Sequence, residues 1–496
     1  MSNKGLRKLK AASAIVAALI LLSMFFALAT SQVAAATTPE LETIVEEGNI
    51  TDHLWSSDGT MVAYVVCPEG QYWGDLWIAE WNGREITNKQ LIYQETEYTG
   101  LEDWQGDWIL FRIRHENNLP SSYYGRGELW KIRYDGTDLT QITFTDTNGI
   151  RTTRSNHAYD NIGTAGYGRF IPGTDLVYFS AHHGNGWWDP FVCNDDGTDQ
   201  WYRVSASPYW HSFTIAMSPT GSKVLWGDAS YWDNPTRALM ASNPDGSGRI
   251  QIGSFIYRTS PLVLADGNTV VYNFIRTRYI GEPPLAGNIY AMDIDGSNPR
   301  TVIDDEYYNT WASYNPVDAQ ALLMASDRDP DGNTHIFKIN MDGTGIEQLT
   351  SGPYNDGGAS YSANAHELLY LRTPVDEGPS QLVIRRIIQI VEIDIKPGGI
   401  PNSINLKSKG KVPVAILTTD DFDASAVNPV TVEFAGASPL KWHFEDVDFD
   451  GDFDLVMHFA TQELMLAHDS TQATLTGETW DYLLILGIDS VRIVPP

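Results

Sequence analysis

From His335 to Thr350 the chain alternates apolar and polar positions, turns, and returns. Ile336 to Met341 has the period-two pattern of a half-buried strand. Asp342-Gly343 follows as a hairpin turn, where glycine takes the positive φ that a side chain resists, and Ile346 to Thr350 runs back. The unit recurs upstream. Asn288 to Ile294 leads into Asp295-Gly296, Ala238 to Pro244 into Asp245-Gly246, and Phe191 to Asp195 into Asp196-Gly197. Leu129 to Tyr134 leads into Asp135-Gly136, and Leu76 to Trp81 into Asn82-Gly83. Gly197, Gly246, Gly296 and Gly343 stand 49, 50 and 47 residues apart. A period of that length built from strands predicts a β-propeller.

Two further strands precede each hairpin. A large apolar residue stands before a turn at Trp55, Trp104, Phe170, Met217, Leu264, Tyr314 and Tyr361, and an apolar run follows each turn, which gives seven copies. The last copy has a third strand, Gln381 to Arg386, without a hairpin after it; Glu42 to Glu46 is expected to supply the missing outer strand and close the ring. The turn Ser218-Pro-Thr-Gly221, the run Ala325-Ser-Asp-Arg328, and Asn340-Met-Asp-Gly343 with Gln348-Leu-Thr350 resemble the TolB-type (WD-repeat-like) propeller repeat over residues 41–386. Gln105-Gly106 and Ile171-Pro172 depart from it. The resemblance implies a fold that hosts lyases, peptidase gates, sensors and scaffolds, so function has to come from the site.

The longer connections are expected on one face of the ring: His115 to Gly127, Thr145 to Tyr167, His182 to Trp188, Ala229 to Pro235 and Arg276 to Gly287. Their candidate ligand-binding residues are Tyr123, Tyr124, Arg126, Arg154, Trp187, Trp188, Trp232, Arg276 and Arg278. Aromatic faces stack on sugar rings or partner side chains, and arginine forks grip carboxylates. The same residues also serve to pin loops to the ring, and both readings stand. His157, His182, His183 and His211 are candidate ligands for a transition metal, against the plainer reading as separately hydrogen-bonded histidines. Oligogalacturonate lyases, which are also seven-bladed propellers, use a histidine-rich metal site; no residue of theirs is matched to this chain.

At Val391 the repeat stops. Short apolar runs at 391–395, 412–417, 430–434, 455–459, 473–476, 482–486 and 490–494 predict a smaller β-sandwich over 391–496, so the expected class is all-β throughout. Ile393-Asp-Ile-Lys-Pro-Gly-Gly399 and Pro413-Val-Ala-Ile-Leu417 resemble a terminal module of secreted microbial proteins. Within it Asp446, Asp448, Asp450, Asp452 and Asp454 alternate around Gly451. Carboxylates so spaced converge only if the backbone loops, and together they repel unless a cation sits among them; Ca²⁺ is the expected ion. The loop resembles those of dockerin-like and integrin-like domains, although Met457 replaces the bidentate Glu of an EF-hand. The alternative is a solvated acidic turn. A second triplet, Asp327, Asp329 and Asp331, is a candidate calcium site on the propeller.

Composition changes the picture in three ways. Lys4, Arg7, Lys8 and Lys10 before the apolar run Ala11 to Ala29, with Ala34-Ala35-Ala36 after it, read as a signal peptide over 1–36; an uncleaved anchor, the only expected link to a membrane, is the alternative. The formal charge of −30 argues against nucleic acid, whose phosphates demand a basic footprint. The two cysteines, Cys67 and Cys193, are expected as buried thiols in separate repeats, not a disulfide. No Gly-x-Ser-x-Gly, His-Glu-x-x-His or phosphate-loop motif occurs. The expectation is a secreted, periplasmic or cell-surface binding protein for an envelope protein or anionic glycan, and the competing one is a metal-dependent polysaccharide lyase.

Overall fold

A computed structural model describes residues 41–68, 74–94, 98–115, 126–143, 162–183, 187–197, 202–203, 215–228, 236–256, 261–276 and 286–495. Apart from two short 3-10 turns, every regular element among them is a β-strand. No helix among the described residues is long and apolar enough to cross a membrane, and the leader lies outside them. The chain divides into two compact units, one of them Glu42–Arg385.

That unit is a β-propeller of antiparallel sheets whose spatial order follows the sequence. Glu42–Trp55 does double duty. Its first half pairs with Ser380–Arg386, from Glu42 opposite Arg385 to Gly48 opposite Ser380. Its second half pairs with Met61–Cys67, from Asn49 opposite Cys67 to Trp55 opposite Val62. One strand thus closes the last four-stranded set and opens the first, as the missing seventh hairpin requires. Five further four-stranded sheets follow, which makes seven sets among the described residues.

Second strands are buried on both sides because neighbouring sheets cover each face. Ala321–Ser326 is buried at every position, and Leu322, Met324 and Phe337 share a core with Val271, Ile289 and Val302 of the preceding sheet. The Asp-Gly turn is needed for that packing. Gly343 has φ 82°, Asp342 Oδ1 accepts the Thr344 N–H at 2.9 Å, and a Cβ on Gly343 would lie 2.5 Å from the Val302 carbonyl. First strands carry bulges, with register shifts at Ile50/Asp52, Leu101/Asp103, Thr310/Ser313 and Gly357/Ser360. These bends re-aim side chains along the inner strands. Cys67 and Cys193 are both buried and free; burial pushes both thiols up.

Two loop boundaries need correcting. His182 pairs with Trp188 and His183 with Trp187, so the supposed loop from His182 to Trp188 is mostly paired backbone. Ile162–Phe170 is a strand, which takes Tyr167 out of the loop from Thr145. Neither segment shows the apolar alternation that marks a strand, and cross-strand pairing decides both.

The C-terminal chain builds two four-stranded sheets. One orders Ile388–Val391, Leu484–Ser490, Gln472–Thr479 and Val427–Phe434; the other orders Ile393–Ile395, Lys411–Ile416, Asp454–Ala460 and Pro439–Glu445. Val432, Phe434 and Leu475 of the first share one core with Val414, Met457 and Phe459 of the second. The single strand expected at 391–395 is two, because the chain passes from one sheet to the other at Glu392. Pro439–Glu445 was not expected at all.

Candidate functional site

Glu445 opposite Asp454 closes a hairpin whose loop is the aspartate ladder. Asp446, Asp448 and Asp454 each bring a carboxylate oxygen within 4.8 Å of the others. Asp454 is buried, with Oδ1 accepting the Thr418 N–H and Oδ2 the Val447 N–H, both at 2.9 Å. Asp446 Oδ2 accepts the Gly451 N–H at 3.2 Å; its Oδ1 is buried without a hydrogen-bond partner among the described residues. Gly451, at φ 107°, permits the bend. Burial, then Asp450 and Asp454, push the Asp448 carboxyl above its ordinary value. Asp450 and Asp452 are exposed, and Asp450 Oδ1 accepts the Asp452 N–H at 3.1 Å. Asp394 was missed. Its carboxyl is raised by burial and by Asp489, Asp448 and Asp454, because Asp394 lies opposite Ala415, and Ala415 opposite Val456, two residues from Asp454. This is a hard-oxygen donor set.

In the propeller the aspartate triplet does not converge as a triplet. Asp327 Oδ1 accepts the Tyr308 N–H at 2.8 Å, while Asp329, Asp331 and His335 come within 4.8 Å of one another. His335 is fully buried, with Nε2 3.3 Å from Asp331 and Nδ1 3.6 Å from Asp356. Burial alone would lower its pKa, but Asp356 and Asp331 outweigh it and raise it. The network continues. Arg372 Nε donates to Asp356 at 2.9 Å, and Arg372 Nη1 to Glu42 at 2.6 Å. Arg385 and the Tyr370 hydroxyl also donate to Glu42, at 2.9 and 3.0 Å. Asp356 stays below its ordinary value despite burial because His335 and Arg372 hold its charge. Glu42 of the ring-closing strand is therefore held by part-buried ion pairs, backed by the buried Arg372–Asp356 pair.

A third cluster joins the first strands of three successive sets. The Leu101 N–H donates to Asp52 at 3.0 Å, and the Gly168 N–H to Glu102 at 3.1 Å. Arg112 lies 3.5 Å from Glu102 and 5.9 Å over the Tyr167 ring. Tyr167 is exposed and holds φ 56°, a conformation bulky residues avoid. Burial, then Glu102, pushes the Asp52 carboxyl up to about 7, against the Leu101 N–H and Arg112. Such a carboxyl carries and releases a proton near neutrality. No sequence motif signals this cluster.

Tyr123, Tyr124, Arg154, Trp232, Arg278, His157 and His211 lie outside the described residues. Arg126, Trp187 and Arg276 fall at strand ends, with Trp188 one residue inside; His182 and His183 end the strand Leu176–His183. All of these stand at the junction of second and third strands, where His115 faces Arg126, His183 faces Trp187 and Arg276 faces Ala286.

No family model matches the chain. An uncharacterized protein of Agrobacterium fabrum, Atu1656, is 24% identical over 185 residues, covering 36% of this chain and 55% of that protein. The chain thus matches about half of that relative's length. Among solved structures, a putative TolB from Agrobacterium tumefaciens is similar at TM-score 0.37 and 14% identity, over 60% of this chain and 94% of that one. TolB from Acinetobacter baumannii is similar at TM-score 0.37 and 11% identity, over 67% and 80%. An oligogalacturonate lyase from Vibrio parahaemolyticus gives TM-score 0.42 and 13% identity, over 70% and 79%.

Proposed function

We propose that the chain is an exported binding protein: a propeller that engages a carboxylate-bearing ligand through one face and carries a calcium-stabilised C-terminal unit. The observation behind the first part is where the long connections fall. Segments 116–125, 229–235 and 277–285 all join a second strand to a third, whereas strands one to two and three to four are joined by tight glycine turns such as Gly136, Gly221 and Gly343. Meander topology puts all second-to-third connections at one edge of the ring. Those segments and their flanking strand ends hold Tyr123, Tyr124, Arg126, Trp232, Arg276 and Arg278, which suit an anionic glycan or an acidic envelope protein. The basic, apolar leader supports export.

Calcium is supported by three converging carboxylates, one of them buried, by a second buried oxygen without a donor, and by the raised Asp448. Asp446, Asp448 and Asp454 would hold the ion, with Asp450 and Asp394 adding charge around it. Titration with polyuronate oligomers and with acidic envelope proteins, followed by calorimetry, tests the binding reading. Saturable binding lost in Arg126→Ala with Arg276→Ala supports it. Release of unsaturated products from the polyuronate, read by ultraviolet absorbance, would replace it with the lyase.

A further inference from the structure

Pro439–Glu445 lies at the edge of its sheet, and among the described residues it pairs only with Asp454–Ala460. Its other side offers unpaired backbone donors and acceptors, a template for a further strand. Trp442 stands opposite Met457 and Phe444 opposite Leu455. Both partners are fully buried in the core, so Trp442 and Phe444 share the core-facing side, since cross-strand neighbours project together. Yet Leu440, Trp442 and Phe444 are 51%, 44% and 48% exposed. Val430, on the edge strand of the facing sheet, is 69% exposed.

We propose that this edge pairs with the same edge of a second copy of the chain, giving a two-fold symmetric antiparallel dimer centred on His443. The sequence Lys441-Trp-His-Phe-Glu445 is self-complementary in that register. Lys441 faces Glu445 of the partner subunit and Glu445 faces the partner's Lys441, while each Trp442 faces the partner's Phe444. Opposite charges and aromatic pairs directly across a ladder are both stabilising. Neighbouring registers lose this. Centring on Trp442 sets Lys441 against His443 and leaves Glu445 opposite Pro439, and centring on Phe444 sets Trp442 against the acidic Asp446. A two-fold axis also makes the contact close on itself, so it ends at a dimer.

Charge permits the approach. The chain carries −30, but Lys441 and Glu445 cancel along this strand. The aspartate loops begin at Asp446, and the two-fold axis sends them to opposite ends of the paired strands, about 20 Å apart at about 3.3 Å per residue. That exceeds the screening length of about 8 Å at physiological salt. Lysine on an edge also serves to block pairing, and the experiment separates the two roles.

Sedimentation of the purified full chain over a concentration series should show a reversible monomer–dimer equilibrium. Lys441→Glu and Glu445→Lys should each weaken the dimer at least tenfold, by placing like charges opposite one another twice. The double exchange Lys441→Glu with Glu445→Lys restores both pairs and should return the dissociation constant to within about threefold of the parent. Trp442→Ser, at an exposed position, should weaken it too; far-ultraviolet circular dichroism checks that each variant folds. A chain that stays monomeric throughout, a dimer unmoved by the single exchanges, or a double exchange no better than the singles overturns the proposal.

Discussion

The propeller and the C-terminal unit both concentrate carboxylates, and they handle them in opposite ways. Around the ring closure, Glu42 and Asp356 are met by Arg372, Arg385 and His335 from the chain itself. In the C-terminal loop, Asp446, Asp448 and Asp454 face one another, and backbone N–H groups of Gly451, Thr418 and Val447 donate to Asp446 and Asp454. The first arrangement supplies its counter-charge on folding. For the second, Ca²⁺ is the proposed counter-charge. The difference is that side-chain cations hold the first cluster, whereas backbone N–H donors hold Asp446 and Asp454 in the second.

Arg372 gives the largest test of that contrast. Removing one partner of a buried pair strands the others, which typically costs about 3–5 kcal/mol. Arg372→Ala should therefore lower the propeller's unfolding free energy by that amount, with or without calcium. A loss below about 1 kcal/mol would mean the ring is closed by backbone pairing alone.

Asp52 sharpens the comparison from inside the propeller, because its burial outweighs the charge on Arg112. A carboxyl raised to about 7 costs stability as pH climbs from about 4 through about 7, since ionisation is harder in the folded chain. Asp52→Asn keeps an acceptor for the Leu101 N–H. It should stabilise the protein at pH 8 by a few kcal/mol, at about 1.4 kcal/mol per tenfold change in proton affinity, and give little at pH 4. Urea melts at the two pH values decide it, and a pH-independent effect would contradict the buried-acid account.

His335 has the reverse sign from Asp52. Its folded pKa lies above the ordinary 6.5, so its contribution is complete below that pH and is lost as pH rises through the folded value. Asp356 is depressed, so its contribution is present above about 4 and lost in acid. The network is strongest between those limits. His335→Ala should cost about 1–3 kcal/mol at pH 5.5, the size of a buried group left without its partner, and less at pH 8.5.

The smallest effect belongs to the aspartate loop in chelator. Asp448→Asn removes repulsion with Asp450 and Asp454, and should raise the stability of the chelated protein by about 0.5 kcal/mol, as a screened surface interaction does. It should also remove the response to calcium. The same change in the calcium-loaded protein should destabilise, and that change of sign is what thermal melts would look for.

What was legible in the sequence follows from where each feature is encoded. The Asp-Gly turns and the missing seventh hairpin are local signals, and they gave the ring and its closing strand at Glu42. The bend around Gly451 was legible because alternate carboxylates require a loop to converge, but of the five aspartates only Asp446, Asp448 and Asp454 come together. Pro439–Glu445 was not, because Leu440, Lys441, Trp442, His443 and Phe444 are all exposed on an edge strand, so burial imposes no alternation to read. Asp394 and the Asp52, Glu102 and Arg112 cluster arise only when separate strands come into register. The His182 to Trp188 segment failed for a related reason: paired backbone made it a strand despite its composition.

The C-terminal unit is proposed to need an ion that the propeller does not. Differential scanning calorimetry of the full chain, with chelator and then with free Ca²⁺ a hundredfold above its dissociation constant, tests it most directly. The C-terminal transition should rise by about 3 kcal/mol, the mass-action gain of a ligand that binds only the folded loop, while the propeller transition stays in place. Asp448→Ala should abolish the shift. Superimposed traces with and without calcium, or equal movement of both transitions, would contradict the claim.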